Sequence, residues 1–258
     1  MRTVALVFSA LAALHSAPAF AWGKTGHRVV AALAERHLSP EARKNVVAIL
    51  GTETMAEAAN WPDFMRSDPS PFWQKTANPW HYVTVPDGKS YDEVGAPPEG
   101  DAVTALKQFA ETIHDPKASL ADKQLALRFI IHIVGDLQQP LHAGNGKDHR
   151  GHDIKVTFFG KPTELHVVWD EDLIDFQQLS YSEWTDWLGA NITPELAKDW
   201  CDTRPQTWIA EDVALRGQIY PEKPDLSYAY VFAHKAQVEQ RLSMGGIRLA
   251  CVLNELFR

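Results

Sequence analysis

The chain has 258 residues, 45% of them hydrophobic and 22% charged, and a formal net charge of −8. That length and balance suit a globular domain with a sizeable core and exclude a disordered or fibrous chain. The acidic excess excludes a basic surface that grips duplex nucleic acid along its backbone, but not positive charge brought in by bound metal.

Residues 1–21 read as an export signal. Arg2 precedes an apolar run from Val4 to Leu14, and Ala19-Phe20-Ala21 puts small residues at the last and third-last positions before a cut. Cleavage after Ala21 leaves one domain, residues 22–258, with Trp22 at its start; losing Arg2 takes the charge from −8 to −9. No other apolar stretch is long enough to span a bilayer. The expectation is therefore a periplasmic or secreted monomer with no membrane partner.

From there the period is mostly helical. Gly26 to Leu38 carries Val29, Val30, Leu33 and Ala34 on one side. Pro40 to Leu50 follows, with Ser39 placed as an N-cap before a proline at the first helical position. Pro86 to Gly100 reads as a surface loop rich in proline and glycine. Asp101 to His114 is a third helix, stopped by Pro116, and Leu120 to Leu137 is a fourth and the most apolar. Ile154, Val156 and Phe158 alternate ahead of Gly160-Lys161-Pro162, a short β-hairpin. Ser180 to Leu215 holds two or three helices punctuated by Pro194 and Pro205, and Ser227 to Phe257 is a long closing helix. The fold class is mainly α: one compact multi-helix domain with a short hairpin. Cys201 and Cys251, an even pair far apart in an exported chain, favour one bridge between the C-terminal segment and an earlier helix.

The chemistry concentrates on the fourth helix. Gln124, Arg128, His132 and Asp136 form a narrow polar stripe at i, i+4 on an otherwise apolar helix. A buried histidine and aspartate need partners, because an unpaired buried charge is very costly. A hydrogen bond between them would suffice, and from this pair alone is the simpler reading. His142 follows just beyond Pro140, however, and His166 and Asp170 form a second His/Asp pair one helical turn apart. Asp63 and His81 sit beside tryptophans in Trp61-Pro62-Asp63 and Pro79-Trp80-His81, and His27 lies five residues after Trp22. A free α-amine at Trp22, with its own carbonyl oxygen, can close a chelate ring on a metal.

Taken in order, Trp22-Gly23, His27, Trp61-Pro62-Asp63, His81, His132-xxx-Asp136-xxxxx-His142 and His166-xxx-Asp170 resemble the zinc-dependent single-strand nucleases of fungi, plants and bacteria. Those enzymes share their fold with the three-zinc bacterial phospholipases C. The resemblance implies three Zn²⁺. One would lie on Asp63, His81, His132 and Asp136, and a second on the Trp22 amine and carbonyl, His27 and the bridging Asp136. The third would lie on His142, His166 and Asp170. Imidazole and carboxylate ligands suit zinc. Three dications against three carboxylates leave a local excess of about +3 that draws a phosphodiester into an acidic protein.

The implied activity is hydrolysis of single-stranded DNA and RNA, and of nucleotides carrying a 3′-phosphate. Hydroxide held between the paired zincs attacks phosphorus and leaves 5′-phosphate ends. Asp63, Asp136 and Arg66 are the implied catalytic residues, Arg66 matching a phosphate-binding arginine.

The chain departs from that family in two places. Tyr82 and Thr84 stand where many relatives carry a base-stacking Phe and a base-bonding Asp, so Tyr82 is expected to stack a base while Thr84 weakens base preference. Arg150-Gly151-His152 stands where relatives read Gly-Gly-Asn, making His152 a candidate phosphate donor. His149 is a further candidate beside the substrate, whereas His37, His114 and His234 fit helix surfaces or ends. A zinc phospholipase C is the nearest rival, disfavoured by Asp rather than Glu at position 170. A non-catalytic periplasmic zinc-binding protein is the other, disfavoured because the ligands are dispersed through the chain instead of gathered in a His-rich loop.

Overall fold

A computed structural model describes residues 22–258, so the expected signal segment, residues 1–21, lies outside the described residues. The long helices fall at Lys24–Arg36, Pro40–Leu50, Ala102–His114, Leu120–Asp136, Tyr181–Ala190, Pro194–Trp200, Pro205–Ile219 and Tyr228–Leu256. Their starts follow from local chemistry. The side chains of Ser39, Asp101, Ser119, Ser180 and Thr193 each accept a backbone N–H of the first turn, satisfying donors that the helix itself leaves unpaired.

Leu120–Asp136 is the central helix. It packs against Ala102–His114, Tyr228–Leu256, Pro40–Leu50 and Lys24–Arg36. Ala126, Leu127, Phe129, Ile130, Ile131, Ile133 and Val134 are all buried, so the helix has almost no solvent face beyond its first turns. Phe129 anchors an aromatic cluster: it stacks on Phe109 at 4.9 Å between centroids and meets Trp80 edge-on at 5.2 Å. The long C-terminal helix covers Lys24–Arg36 along much of its length. Behind the end of the central helix, Arg241 donates to the Gln138 carbonyl, and Arg248 bonds the Gln138 side chain and Glu211.

Strand content is small. β1 (Val83–Thr84) pairs in parallel with β2 (Ala143–Gly144). β3 (Lys155–Phe158) and β4 (Lys161–Glu164) form the expected hairpin. β5 (Asp225–Leu226) adds a parallel edge to β3 that the sequence pattern does not announce. Pairings of two residues carry too little alternation to be read from sequence. Residues 86–100 are mostly exposed, as expected, but include a helical turn at Tyr91–Val94 that buries Tyr91. The Leu165–Asp170 stretch is not one regular α-turn: Leu165–Val167 is α-helical and Val168–Asp172 is π-helical. His234 is buried against Trp169 and Tyr230 rather than lying on a helix surface. Among the described residues, no helix is long and apolar enough to cross a membrane.

Cys201 and Cys251 form the expected disulfide, joining the end of Pro194–Trp200 to the C-terminal helix across 50 residues. Replacing both cysteines by alanine is expected to cost about 2–4 kcal/mol, or roughly 5–15 °C in melting temperature for a chain of this size. Thermal unfolding of the double variant against the parent checks this; an unchanged midpoint would show that the bridge constrains little.

Candidate metal centre

Eight side chains expected from sequence converge on the C-terminal end of the central helix. Their ligand atoms form three groups, each within 4.8 Å: His27 with His132 and Asp136, Asp63 with His81 and His132, and His142 with His166 and Asp170. All eight are buried. Elements from six parts of the chain bring them there. His27 comes from the first helix, Asp63 from the short helix Trp61–Met65, and His81 from the end of a 3₁₀ turn at Asn78–His81. His132 and Asp136 share the central helix. His142 ends the 3₁₀ turn that Pro140 opens, and His166 and Asp170 come from the α- and π-helical segment after the hairpin.

The distances are short enough for these atoms to share cations. Asp136 Oδ1 lies 3.2 Å from His27 Nε2, while its Oδ2 lies 3.2 Å from His132 Nε2 and 3.3 Å from His81 Nδ1. One carboxylate thus faces both halves of the paired group. Asp63 Oδ1 is 3.7 Å from His132 Nε2 and 3.9 Å from His81 Nδ1. In the separate group, His166 Nε2 is 2.8 Å from Asp170 Oδ2 and His142 Nε2 is 4.0 Å from Asp170 Oδ1.

Ring orientation is fixed from behind. The Nδ1–H groups of His132, His142 and His166 donate to the carbonyls of Ala59, His81 and Arg150 at 2.7, 2.6 and 2.7 Å. Each bond commits the ring proton outward and leaves Nε2 as a lone pair facing the centre, the usual outer support of a metal-bound imidazole. His27 stacks on His132 at 4.0 Å between centroids, and a Cβ at Gly135 would come within 3.0 Å of His27 Nδ1. A side chain at 135 would crowd that ring.

These groups fit a metal because several of their atoms are satisfied by nothing else among the described residues. Both nitrogens of His27, both oxygens of Asp136, Asp63 Oδ1 and His142 Nε2 are buried without a hydrogen-bond partner. A cluster of acceptors short of donors is what a buried polar site should not be, unless cations complete it. Charge energetics agree. Burial pushes Asp63 up to about 7, Asp136 well above the ordinary carboxylate range and Asp170 upward. Burial also drives His27, His81 and His142 well below the ordinary imidazole value and lowers His132. Without cations the site would thus hold neutral imidazoles and carboxyl groups that resist ionising.

Around this centre, Arg66 Nη1 lies 3.6 Å from Asp63 Oδ1 and its Nη2 is 3.4 Å from Asn78 Oδ1. Arg66 lines a small opening onto the centre together with Asn78, His81, Tyr82, His142, Arg150 and His166. Tyr82 and Thr84 line a larger adjoining cleft of about 470 Å³, shared with His149 and Arg150. Trp22 is fully buried, and the amide of Gly23 donates to the Asp170 carbonyl at 2.7 Å, which ties the start of the described chain to the ligand-bearing segment.

The structure places His152, the candidate phosphate donor, against His166. Its ring packs on His166 at 3.9 Å, its Nδ1 bonds Glu164 at 2.9 Å, and it lines neither opening. Its bond to the hairpin's Glu164 turns the ring inward, a contact that sequence cannot foresee. Sequence reasoning also missed Gln139, whose buried amide donates to Asp170 Oδ1 and so fixes that carboxylate. Nothing in periodicity distinguishes Gln139 from its neighbour Gln138.

Comparison with known proteins places this geometry in a family. The profile described as S1/P1 Nuclease matches residues 22–258. Endonuclease 2 of Arabidopsis thaliana is 29% identical, the alignment covering 95% of this chain and 93% of that protein. Nuclease P1 of Penicillium citrinum is 28% identical over 91% of this chain and 97% of its own length, and nuclease S1 of Aspergillus oryzae 26% identical over 91% of each.

The buried acids set the pH dependence of metal binding. Below about 7 the metal-free Asp63 holds a proton that a cation must displace, whereas the depressed histidines are already neutral and do not compete. Apparent affinity should therefore fall as the pH drops through about 7, by about tenfold per unit from Asp63 alone. Competition with a chromophoric chelator between pH 8 and 5.5 measures this, and a flat profile across that range would contradict the burial argument.

Proposed function

Because the chain belongs to the S1/P1 nuclease family, we propose that it is an exported zinc-dependent endonuclease. It hydrolyses single-stranded DNA and RNA to products with 5′-phosphate ends, and removes the 3′-phosphate of mononucleotides. The observation that carries the reading is the set of orphaned buried ligand atoms around Asp136, beside an arginine at the mouth of a nucleotide-sized cleft. The Cys201–Cys251 bridge supports export to an oxidising compartment.

In this reading Asp63, His81, His132 and Asp136 hold one zinc. The Trp22 amine and carbonyl, His27 and Asp136 hold a second, and His142, His166 and Asp170 a third. Bound zinc supplies Lewis acidity and a water nucleophile at neutral pH, with no separate strong base required. The chain's own residues do the positioning. The carbonyl bonds of His132, His142 and His166 keep their Nε2 atoms inward. Burial of Asp136 excludes bulk water, which strengthens every electrostatic contact in the site. Arg66, steadied by Asp63 and Asn78, presents guanidinium donors to the non-bridging oxygens of the phosphate as negative charge builds on them. Tyr82 and Thr84 border the space for the attached nucleoside.

The direct test is cleavage of a single-stranded oligonucleotide by protein beginning at Trp22. Zinc-loaded protein is expected to yield 5′-phosphate ends and chelator-treated protein none; zinc retention without cleavage of any nucleic acid would refute the nuclease reading. Asp136→Asn should lower kcat/KM by at least 10³-fold, on the order of 4 kcal/mol of transition-state stabilisation, and reduce bound zinc by elemental analysis. A fully active variant would refute the bridging role. A single Met left ahead of Trp22 should remove the α-amine ligand and cost one zinc per chain; equal zinc content would show that the terminus is not a ligand.

A further inference from the structure

Arg150 stands where the resembled family carries a glycine, and its backbone still adopts a glycine's conformation, φ 62° and ψ 35°. It sits within a run of three left-handed residues, His149, Arg150 and Gly151. A non-glycine residue held there is strained and persists only where its surroundings fix it. Two contacts fix Arg150. Its carbonyl accepts the Nδ1–H of His166, and its guanidinium carbon lies 3.8 Å above the centre of the Tyr82 ring. The aliphatic stem runs so close to Gly144 that a Cβ there would meet Arg150 Cγ at 2.7 Å.

The resulting placement is unusual for a cation. Arg150 lines both the small opening onto the ligand cluster and the larger cleft. Unlike Arg66, it has no carboxylate within 4.0 Å among the described residues. Two guanidiniums therefore border one opening, and only one of them, Arg66, has a carboxylate within ion-pairing distance among the described residues. The face of Tyr82 that Arg150 covers is closed to a stacking base. What remains presented is a planar fork of N–H donors suited to phosphate oxygens.

We propose that Arg150 is a second phosphate-binding arginine, closing with Arg66 on the phosphate group at this opening whatever base is attached. The proposal rests on the nuclease reading for its substrate but not for its anion chemistry. Arg150→Gly tests it, since glycine keeps the left-handed backbone and the carbonyl bond to His166. The parent and variant proteins, both zinc-loaded, are titrated with inorganic phosphate by calorimetry. They are then assayed on oligonucleotides of each single base over a range of salt.

The expected result is roughly 10- to 100-fold weaker phosphate binding and a similar rise in KM for all four bases. The slope of log affinity against log salt should flatten by about one. Unchanged phosphate binding and salt slope would overturn the proposal, as would a loss confined to particular bases, which would make Arg150 a base-stacking residue. A fall in zinc content would overturn it in favour of support for His166. If the parent cleaves no nucleic acid yet its phosphate affinity still depends on Arg150, the nuclease reading fails and the anion site stands.

Discussion

The structure depends on the concentration of ligand lone pairs at one buried place. Five imidazoles and three carboxylates meet inside the protein, with several of their atoms lacking any hydrogen-bond partner among the described residues. In a low-dielectric interior such a cluster opposes folding unless cations occupy it. The surrounding design follows from holding it together. Three histidines spend their ring protons on main-chain carbonyls, Gln139 fixes Asp170, and Gly135 is reduced to a bare backbone so that His27 can lie on His132.

The fold supplies rigidity where that cluster needs it. The central helix is apolar on nearly all sides because it is enclosed by four others, and it delivers His132 and Asp136 at its last turns. Just beyond, Gln138 is held by Arg241 and Arg248, whose charges are met by Glu211 and Asp212. This buried network locks the point where the chain leaves the helix and turns toward His142. The disulfide then fastens the C-terminal helix, which carries both arginines, to the preceding segment.

Electrostatics separate the mouth of the site from the rest of the molecule. The chain carries a net charge of −8, yet Arg66 and Arg150 border the opening onto the ligand cluster. An acidic surface discourages indiscriminate polyanion binding, while the mouth itself is locally cationic. Tyr82 is part of that mouth in a way its aromatic character does not reveal, since the Arg150 guanidinium lies over its ring.

By itself the sequence determined the mainly helical class, the near-correct bounds of the long helices, the hairpin and the disulfide pair. It also named all eight side chains of the ligand cluster. The helices and the hairpin are legible because they rest on local rules of period and capping, whereas the eight side chains were gathered by the resemblance, since spacing alone marks only the two His/Asp pairs. The tertiary structure alone decided that Asp136 faces both halves of the paired group, that His152 packs behind His166, that Gln139 steadies Asp170 and that Arg150 covers Tyr82. Each of these is a contact between residues distant in the chain or turned by an irregular backbone. The direction of a side chain there is set by what packs against it, and no spacing along the sequence encodes that.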